Sequence, residues 1–378
     1  MEHFKHLPTF SAVAFIFSSS LIQAKLYDFE NEGGVPDDPS CDIYTNPLPA
    51  CNFNKNLFNQ IIDKLEPNDE FYLPNKTFHF NGGIGNWYTD RINEGIKDVV
   101  FRFDGTFSLQ DNRAFFPPEP TNPDHVADFF AFNRLENVTF TSNGVGTIQG
   151  NGEKWWGYVQ YLKFQGNRPK LFSIRSSKKL LVEHILYLDP PEWTTQFNSV
   201  EDVEIRFSAI NVRRKQPGGG QADKHGLWNI AAFNTDGFDM SGRNIYIHDV
   251  DIWNDDDCIC VKPRSGNQEI PCSENMLFEN IRASGVGLTI GSVRATPDHT
   301  CIRNITFRNS EMHRTFKGIY IKTRSGKGGP SELDSGIVEN VLYENVTMYQ
   351  PTQWPIWIGP QQAGYADACA LTRLLAKL

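Results

Sequence analysis

Between Glu136 and Met348 the chain keeps returning to one short phrase. It reads ENVTF at 136–140, EDVEIRF at 201–207, RNIYI at 243–247 and ENIRA at 279–283, then RNITF at 303–307 and ENVLYENVTM at 339–348. Each copy sets Asn or Asp before a run that alternates apolar and polar side chains with a period of two, which is the mark of a half-buried strand. Further short strands, GVGLTIGSV and KGIYIKT, lie between the copies, and no amphipathic helical pattern interrupts 135–360. Many short strands at a loose spacing of a few tens of residues fold either as hairpins or as stacked coils. Hairpin turns such as Asn-Gly between strands are scarce here. The pattern therefore predicts an all-β, right-handed parallel β-helix, a solenoid counted as a single domain. In it the recurrent Asn would stack as a ladder along one corner.

The two ends read differently. Lys5 precedes an apolar run from Ser11 to Ile22, too short to span a bilayer, and small Ala24 follows. Residues 1–24 are thus expected to be a secretory signal peptide, and 25–378 the β-helix domain. Within the latter, 25–100 is expected to cover the N-terminal end of the solenoid. Residues 364–378 are expected to be an atypical tail, with Ala370–Leu378 a short amphipathic helix or an unrelated segment. Seven cysteines in an exported chain suggest up to three disulfides, with Cys41–Cys51 and Cys272–Cys301 paired by proximity. Sequons at Asn75, Asn137, Asn304 and Asn345 fit a glycoprotein, although three of them lie within the repeated phrase. A net charge of −9 argues against nucleic acid or an anionic membrane as partner. No Cys/His set has zinc spacing, and neither metal nor cofactor is expected.

Asn234 to Pro263 carries the chemistry. The stretch NTDGFDMSGRNIYIHDVDIWNDDDCICVKP holds Asp236 near one end and Asp255-Asp256-Asp257 near the other, with strand-like sequence between them. In a β-helix, 21 residues can make one coil, and neighbouring strands lie about 4.8 Å apart. Asp236 and Asp257 would then face one surface from adjacent coils. Carboxylates that close push each other's pKa values apart, which suits one as acid and another as base.

The motifs resemble those of glycoside hydrolase family 28, the polygalacturonases and related pectin hydrolases. They are, in order, Asn234-Thr235-Asp236-Gly237, Asp256-Asp257-Cys258, Gly287-Leu288-Thr289-Ile290-Gly291-Ser292 and Ile321-Lys322-Thr323. Gly150–Trp156, Arg168-Pro169 and Pro191-Glu192-Trp193 add to the likeness. The resemblance implies a secreted, monomeric glycosidase that hydrolyses galacturonic-acid-containing pectin with inversion and without a cofactor. It implies Asp256 as general acid, and Asp236 with Asp257 as the pair that holds and deprotonates water. Asn234, Lys322 and Tyr320 would bind substrate, Lys322 through a sugar carboxylate. Asp255 is expected at the rim.

Two positions depart from the pattern. Val286 stands where polygalacturonases usually have His, and Tyr320 where they usually have Arg, so one hydrogen-bonding group and one charge-assisted contact are missing. Rhamnogalacturonan hydrolases share those losses but usually alter the Asn-Thr-Asp motif, which is intact here. Rhamnogalacturonan or xylogalacturonan hydrolysis, a catalytically impaired polysaccharide binder and a calcium-dependent lyase remain as alternatives. Of the aromatics, Trp354 and Trp357 are expected inside the last coil, and Trp228 beside the Gly-rich loop 218–226 as a sugar platform. His225 belongs to that solvated loop, His248 to an outward rung, and His313 with Arg314 to the substrate rim.

Overall fold

The computed structural model describes residues 24–37, 48–110, 116, 118–119, 122–144, 146–156, 167–212, 232–264, 272–294, 300–324, 336–360 and 374–377. Gly218–Gly226, His225, Trp228, the expected signal peptide and Cys369 lie outside these residues. So does the Cys41–Cys51 pair, since the side chain of Cys51 is not described.

The repeated phrases form the coils of a parallel β-helix. Among the described residues, 22 strands make one continuous sheet that curls through three faces, and every neighbour in it runs parallel. One antiparallel strand pair, Pro118–Glu119 with Asn122–Val126, lies outside that sheet, and an isolated antiparallel bridge joins Pro36 to Phe78. One face, here the site face, stacks Phe172–Arg175, the start of Thr195–Arg206, the start of Phe238–Trp253, Asp257–Val261, Gly287–Arg294, Lys317–Arg324 and Trp354–Pro360. Alternate residues point inward. Phe238, Ile259, Leu288 and Ile290 are fully buried in the core between the faces.

The recurrent Asn turns the corner. Asp98, Asn137, Lys179, Asp202, Asn244, Asn275, Asn304 and Asn340 all take a left-handed backbone, with φ between 53° and 56°. Among residues with a side chain, Asn and Asp adopt that conformation at least cost. Their side chains then bond up the stack. Asn137 donates to Asp98 (2.7 Å), Asn244 to Asp202 (2.9 Å), Asn275 to Asn244 (3.4 Å), Asn304 to Asn275 (3.0 Å) and Asn340 to Asn304 (3.2 Å). A second corner repeats the device, with Asn280 on Asp249 and Asn345 on Asn309. Three of the four sequon asparagines are thus ladder residues.

At the N-terminal end a helix, Leu48–Lys64, lies against the first coils. Phe58, Ile61, Ile62 and, just past the helix end, Leu65 form one buried stripe, and the Phe58 ring meets those of Phe71, Phe80 and Phe107. Buried Asn54 ties the helix to the chain by bonding Val35 and the carbonyl of His79. The strand Leu26–Asp28 already pairs with Glu70–Leu73, so the coils begin before that helix.

Three expectations are corrected at the other end and among the cysteines. Leu374–Lys377 is a strand paired with Gly336–Glu339, because the backbone there continues the stack, and not a helix. Trp354 is 45% exposed, and its ring lies 5.0 Å from that of Trp357. It is therefore not packed inside. Cys272 and Cys301 are joined across adjacent coils, but Cys258 and Cys260 are buried free thiols on one strand.

Candidate active site

The site is built at the corner where the chain enters the site face. Phe238 pairs with Ile259, one coil further on, and the N–H of Gly237 donates to the carbonyl of Asp257 (2.8 Å). This is the expected step between Asp236 and Asp257. Only Asn254, Asp255 and Asp256 separate the strand Phe238–Trp253 from the strand Asp257–Val261. Buried Asn254 fixes this short connection by donating to the carbonyls of Thr235 (2.8 Å) and Asp257 (2.9 Å). Thr235 bonds the carbonyl of Ala232 and accepts from the N–H of Asp255. The backbones approach so closely that a Cβ on Gly285 would fall 2.2 Å from Asn254 Oδ1, and one on Gly237 would fall 2.1 Å from the carbonyl of Cys258.

Asp236, Asp256 and Asp257 are thereby gathered, all buried, with one oxygen from each within 4.8 Å of the others. Their surroundings are unequal. Asp256 accepts from two backbone N–H groups, those of Asp257 (2.8 Å) and Asn234 (3.1 Å). Burial, then the charges of Asp236 and Asp257, push its carboxyl well above the ordinary range. Asp257 is buried too, which acts to raise it. The ammonium groups of Lys322 and Lys262, with hydrogen bonds from Lys322 and Thr289 (2.9 Å), outweigh that and hold it below the ordinary value. Asp236 lies between these two. Burial raises it, and Lys262 at 3.4 Å offsets part of the rise.

The other sequence-predicted residues fall in the same place with altered parts. Asn234 takes a left-handed φ of 63° and contributes its backbone N–H to Asp256. Lys322 is buried, with Asp257 as its bonded partner. Tyr320 is 4% exposed, and its ring centroid lies 4.9 Å from the Lys317 ammonium and 5.1 Å from that of Lys322. Asp255 is fully buried, so the rim position expected for it is wrong. The shortness of the connection leaves no room for it outside. His313 packs against Tyr349 (4.8 Å) and bonds Glu311, while His248 stacks on Tyr246.

Sequence reasoning missed Lys262, Asp239 and Lys317. Lys262 reaches Asp236, Asp239 (3.3 Å) and Asp257 (3.8 Å), with its ammonium also 5.1 Å from the Trp193 ring. Asp239 is a further buried carboxyl, raised well above the ordinary range by burial. Period two could have found both. Asp239 and Cys260 are register partners, and Ser241 and Lys262 follow two residues on along the same outward rows. Tyr320 and Lys322 continue those rows.

The chain is similar to known proteins in sequence and in fold. The family model described as Glycosyl hydrolases family 28 matches residues 96–369. A protein named Polygalacturonase from Chamaecyparis obtusa is 26% identical over 72% of this chain and 46% of its own length. One named Exopolygalacturonase from Cochliobolus carbonum is 30% identical over 57% of this chain and 46% of its own. The chain spans about half the length of these curated relatives. The solved endo-xylogalacturonan hydrolase from Aspergillus tubingensis superposes with a TM-score of 0.65 at 17% identity, covering 85% of this chain and 79% of that one. At that identity the likeness concerns the fold.

Proposed function

This chain belongs to glycosyl hydrolases family 28, and on that premise we propose that it hydrolyses the galacturonic-acid-containing backbone of pectin. The observation that carries the reading is the gathering of three buried carboxyls at one corner in unequal surroundings. Asp257 is held by Lys322 and Thr289, Asp236 lies beside Lys262, and among the described residues no lysine is bonded to Asp256. Asp256 is the group that keeps its proton and is the general acid. It protonates the glycosidic oxygen as the bond to the anomeric carbon breaks. A water between Asp236 and Asp257 attacks that carbon from the opposite face and passes its proton to Asp236. Asp257 is a poor proton acceptor because Lys322 and Thr289 hold its two oxygens. It orients the water and stabilises the positive charge developing on the sugar. Asp236, raised above Asp257, is the better base.

The reactive state needs Asp256 protonated with Asp236 and Asp257 ionised. Asp236 is raised and Asp256 raised further. The profile of kcat/KM against pH is therefore a bell, with the Asp236 limb on the acid side and the Asp256 limb above it. Inversion is part of the reading through the family. One oxygen from each of the three carboxyls lies within 4.8 Å of the others. A calcium-dependent elimination is disfavoured by Lys262 and Lys322, which already supply positive charge to Asp257 and lie where a cation would have to enter. Export through the 1–24 leader, action as a monomer and substrate contacts by Asn234, Tyr320 and Lys322 belong to the same proposal.

Product analysis on polygalacturonate, rhamnogalacturonan and xylogalacturonan tests it. Saturated products are expected, with the anomer at the new reducing end inverted when followed by NMR. Unsaturated products, or retention, would overturn the mechanism. Asp256→Asn is expected to lose about 10²–10⁴-fold in kcat while its melting temperature holds, since the wild-type carboxyl is already neutral.

A further inference from the structure

One buried cation at the site has no role in the mechanism above. Lys317 begins the strand Lys317–Arg324 and is 2% exposed. Its place along the solenoid follows from the register. Leu288 pairs with Ile319 on the following coil, and the N–H of Val286 donates to the carbonyl of Asp256 (2.7 Å). The N–H of Phe316 donates to the carbonyl of Gly285 (2.8 Å), closing the next step. Asp256, Val286 and Lys317 thus lie on three successive coils at one corner, and the middle side chain is aliphatic.

The surroundings of Lys317 differ from those of the other two lysines. Lys262 and Lys322 each lie within 4.0 Å of a carboxylate. Among the described residues no carboxylate comes that near Lys317. Its ammonium donates to Gln353 Oε1 (3.1 Å) and lies 4.1 Å from the centre of the Phe316 ring and 4.9 Å from that of Tyr320. Aromatic faces stabilise a cation without neutralising it. The Tyr320 ring that it touches also meets Lys322, which bonds Asp257. The charged groups that act on Lys317 are Asp257 and Asp256 from the corner and Lys322 from its own strand, while Gln353 on the next coil is neutral.

We propose that Lys317 is a positioning residue whose uncompensated charge, acting across this corner on Asp257 and Asp256, sets the pH range in which the acid of this site holds its proton. The inference rests on the function proposed above. Burial brings the Lys317 ammonium down to about 8, so it is charged throughout the acid and neutral range and loses that charge in mild alkali. A positive charge beside a carboxyl favours its ionised form. With the charge removed, Asp256 and its partners should each hold their protons to higher pH.

Lys317→Met keeps the length and apolar packing and deletes the charge. Both limbs of the kcat/KM profile are expected to move upward, by about 0.5–1 pH unit for a unit charge acting at this range through partly screened protein. Lys317→Arg, which keeps the charge, is expected to restore the wild-type limbs. Superimposable wild-type and Lys317→Met profiles, or an equal displacement in Lys317→Arg, would overturn the proposal. A second measurement needs neither turnover nor a variant. The aspartate carboxyl carbons of the wild-type protein, followed by ¹³C NMR, should show an inflection near pH 8 as Lys317 loses its proton. Its absence would count against the proposal even if no pectic substrate were cleaved, a result that would separately remove the proposed function.

Discussion

Lys262 bridges the site, touching Asp236, Asp239 and Asp257 from one ammonium group. Burial works against its charge, but the three carboxyls and Cys260 outweigh that and lift its pKa well above the usual lysine value. Lys262→Met would leave these buried carboxyls without their shared counter-ion. The variant is expected to lose about 3 kcal/mol of stability, as for one-sided removal of a buried ion pair, read by denaturant unfolding. The acid limb of its pH profile should also rise, because Asp236 then ionises later. An unchanged limb would mean that Lys262 serves packing alone. The three aspartates were legible in the sequence because they stand at two turn signals one coil apart. Lys262 was not legible in the same way. It donates to Asp236 from 26 residues further along the chain. That separation says nothing until the coil closes and the outward rows are counted.

Strands and corners were the easier level to read. The Asn-led phrase predicted both the strands and the ladder, since one residue type meets two demands, a left-handed backbone and a side chain able to bond its own copy above and below. Lys179, His184 and Phe207 occupy equivalent left-handed corners with no such signal. There the stacked strands impose the turn on residues that would not choose it. Asn275 tests the balance, bonded on both sides to Asn244 and Asn304. Asn275→Ala is expected to cost about 1–2 kcal/mol, from a left-handed alanine and two broken links, measured by thermal or denaturant unfolding. Asn275→Asp, which keeps the backbone preference, should cost less. The helix Leu48–Lys64 was present in the sequence as the stripe Phe58, Ile61, Ile62 and Leu65, but a helical period is overlooked when only a period of two is sought.

At the scale of the whole molecule, a chain with a formal charge of −9 gathers three ammonium groups, Lys262, Lys317 and Lys322, among the buried carboxyls of its site. Burial raises Asp239 and Asp256 well above the ordinary carboxyl range. The same groups tie stability to acidity. Asp236, Asp239 and Asp256 bind protons more tightly when folded than when unfolded. Above about pH 4 the native state therefore holds more protons, and stability falls as the pH rises through their folded values. Asp257 has the opposite sign, but its contribution is complete above 3.8 and constant beyond. The protein is expected to melt at a higher temperature at about pH 5 than at about pH 8 in calorimetry. A melting temperature that rises over that interval would contradict the buried, protonated state of these groups. Overall architecture was legible because a solenoid is the same local rule applied repeatedly. The unequal setting of the carboxyls was not, because it depends on which of them lose contact with water.

The shortness of Asn254–Asp256 has a consequence for how such a molecule can diversify. The equivalent corners on the next two coils are as short, residues 285–286 before Gly287–Arg294 and residues 314–316 before Lys317–Arg324. Longer stretches of sequence separate the strand Ala209–Asn211 from Phe238–Trp253, and Lys317–Arg324 from Gly336–Tyr349. The connection that carries Asp256 is three residues, locked by Asn254 and closed over by Gly285. Insertions can accumulate in the former without moving a carboxyl, whereas one added residue in the latter would turn Asp256 away from its partners. The fold thus separates a fixed reaction centre from exchangeable walls, so that a new polymer can be accommodated by grafting a loop and leaving the chemistry alone.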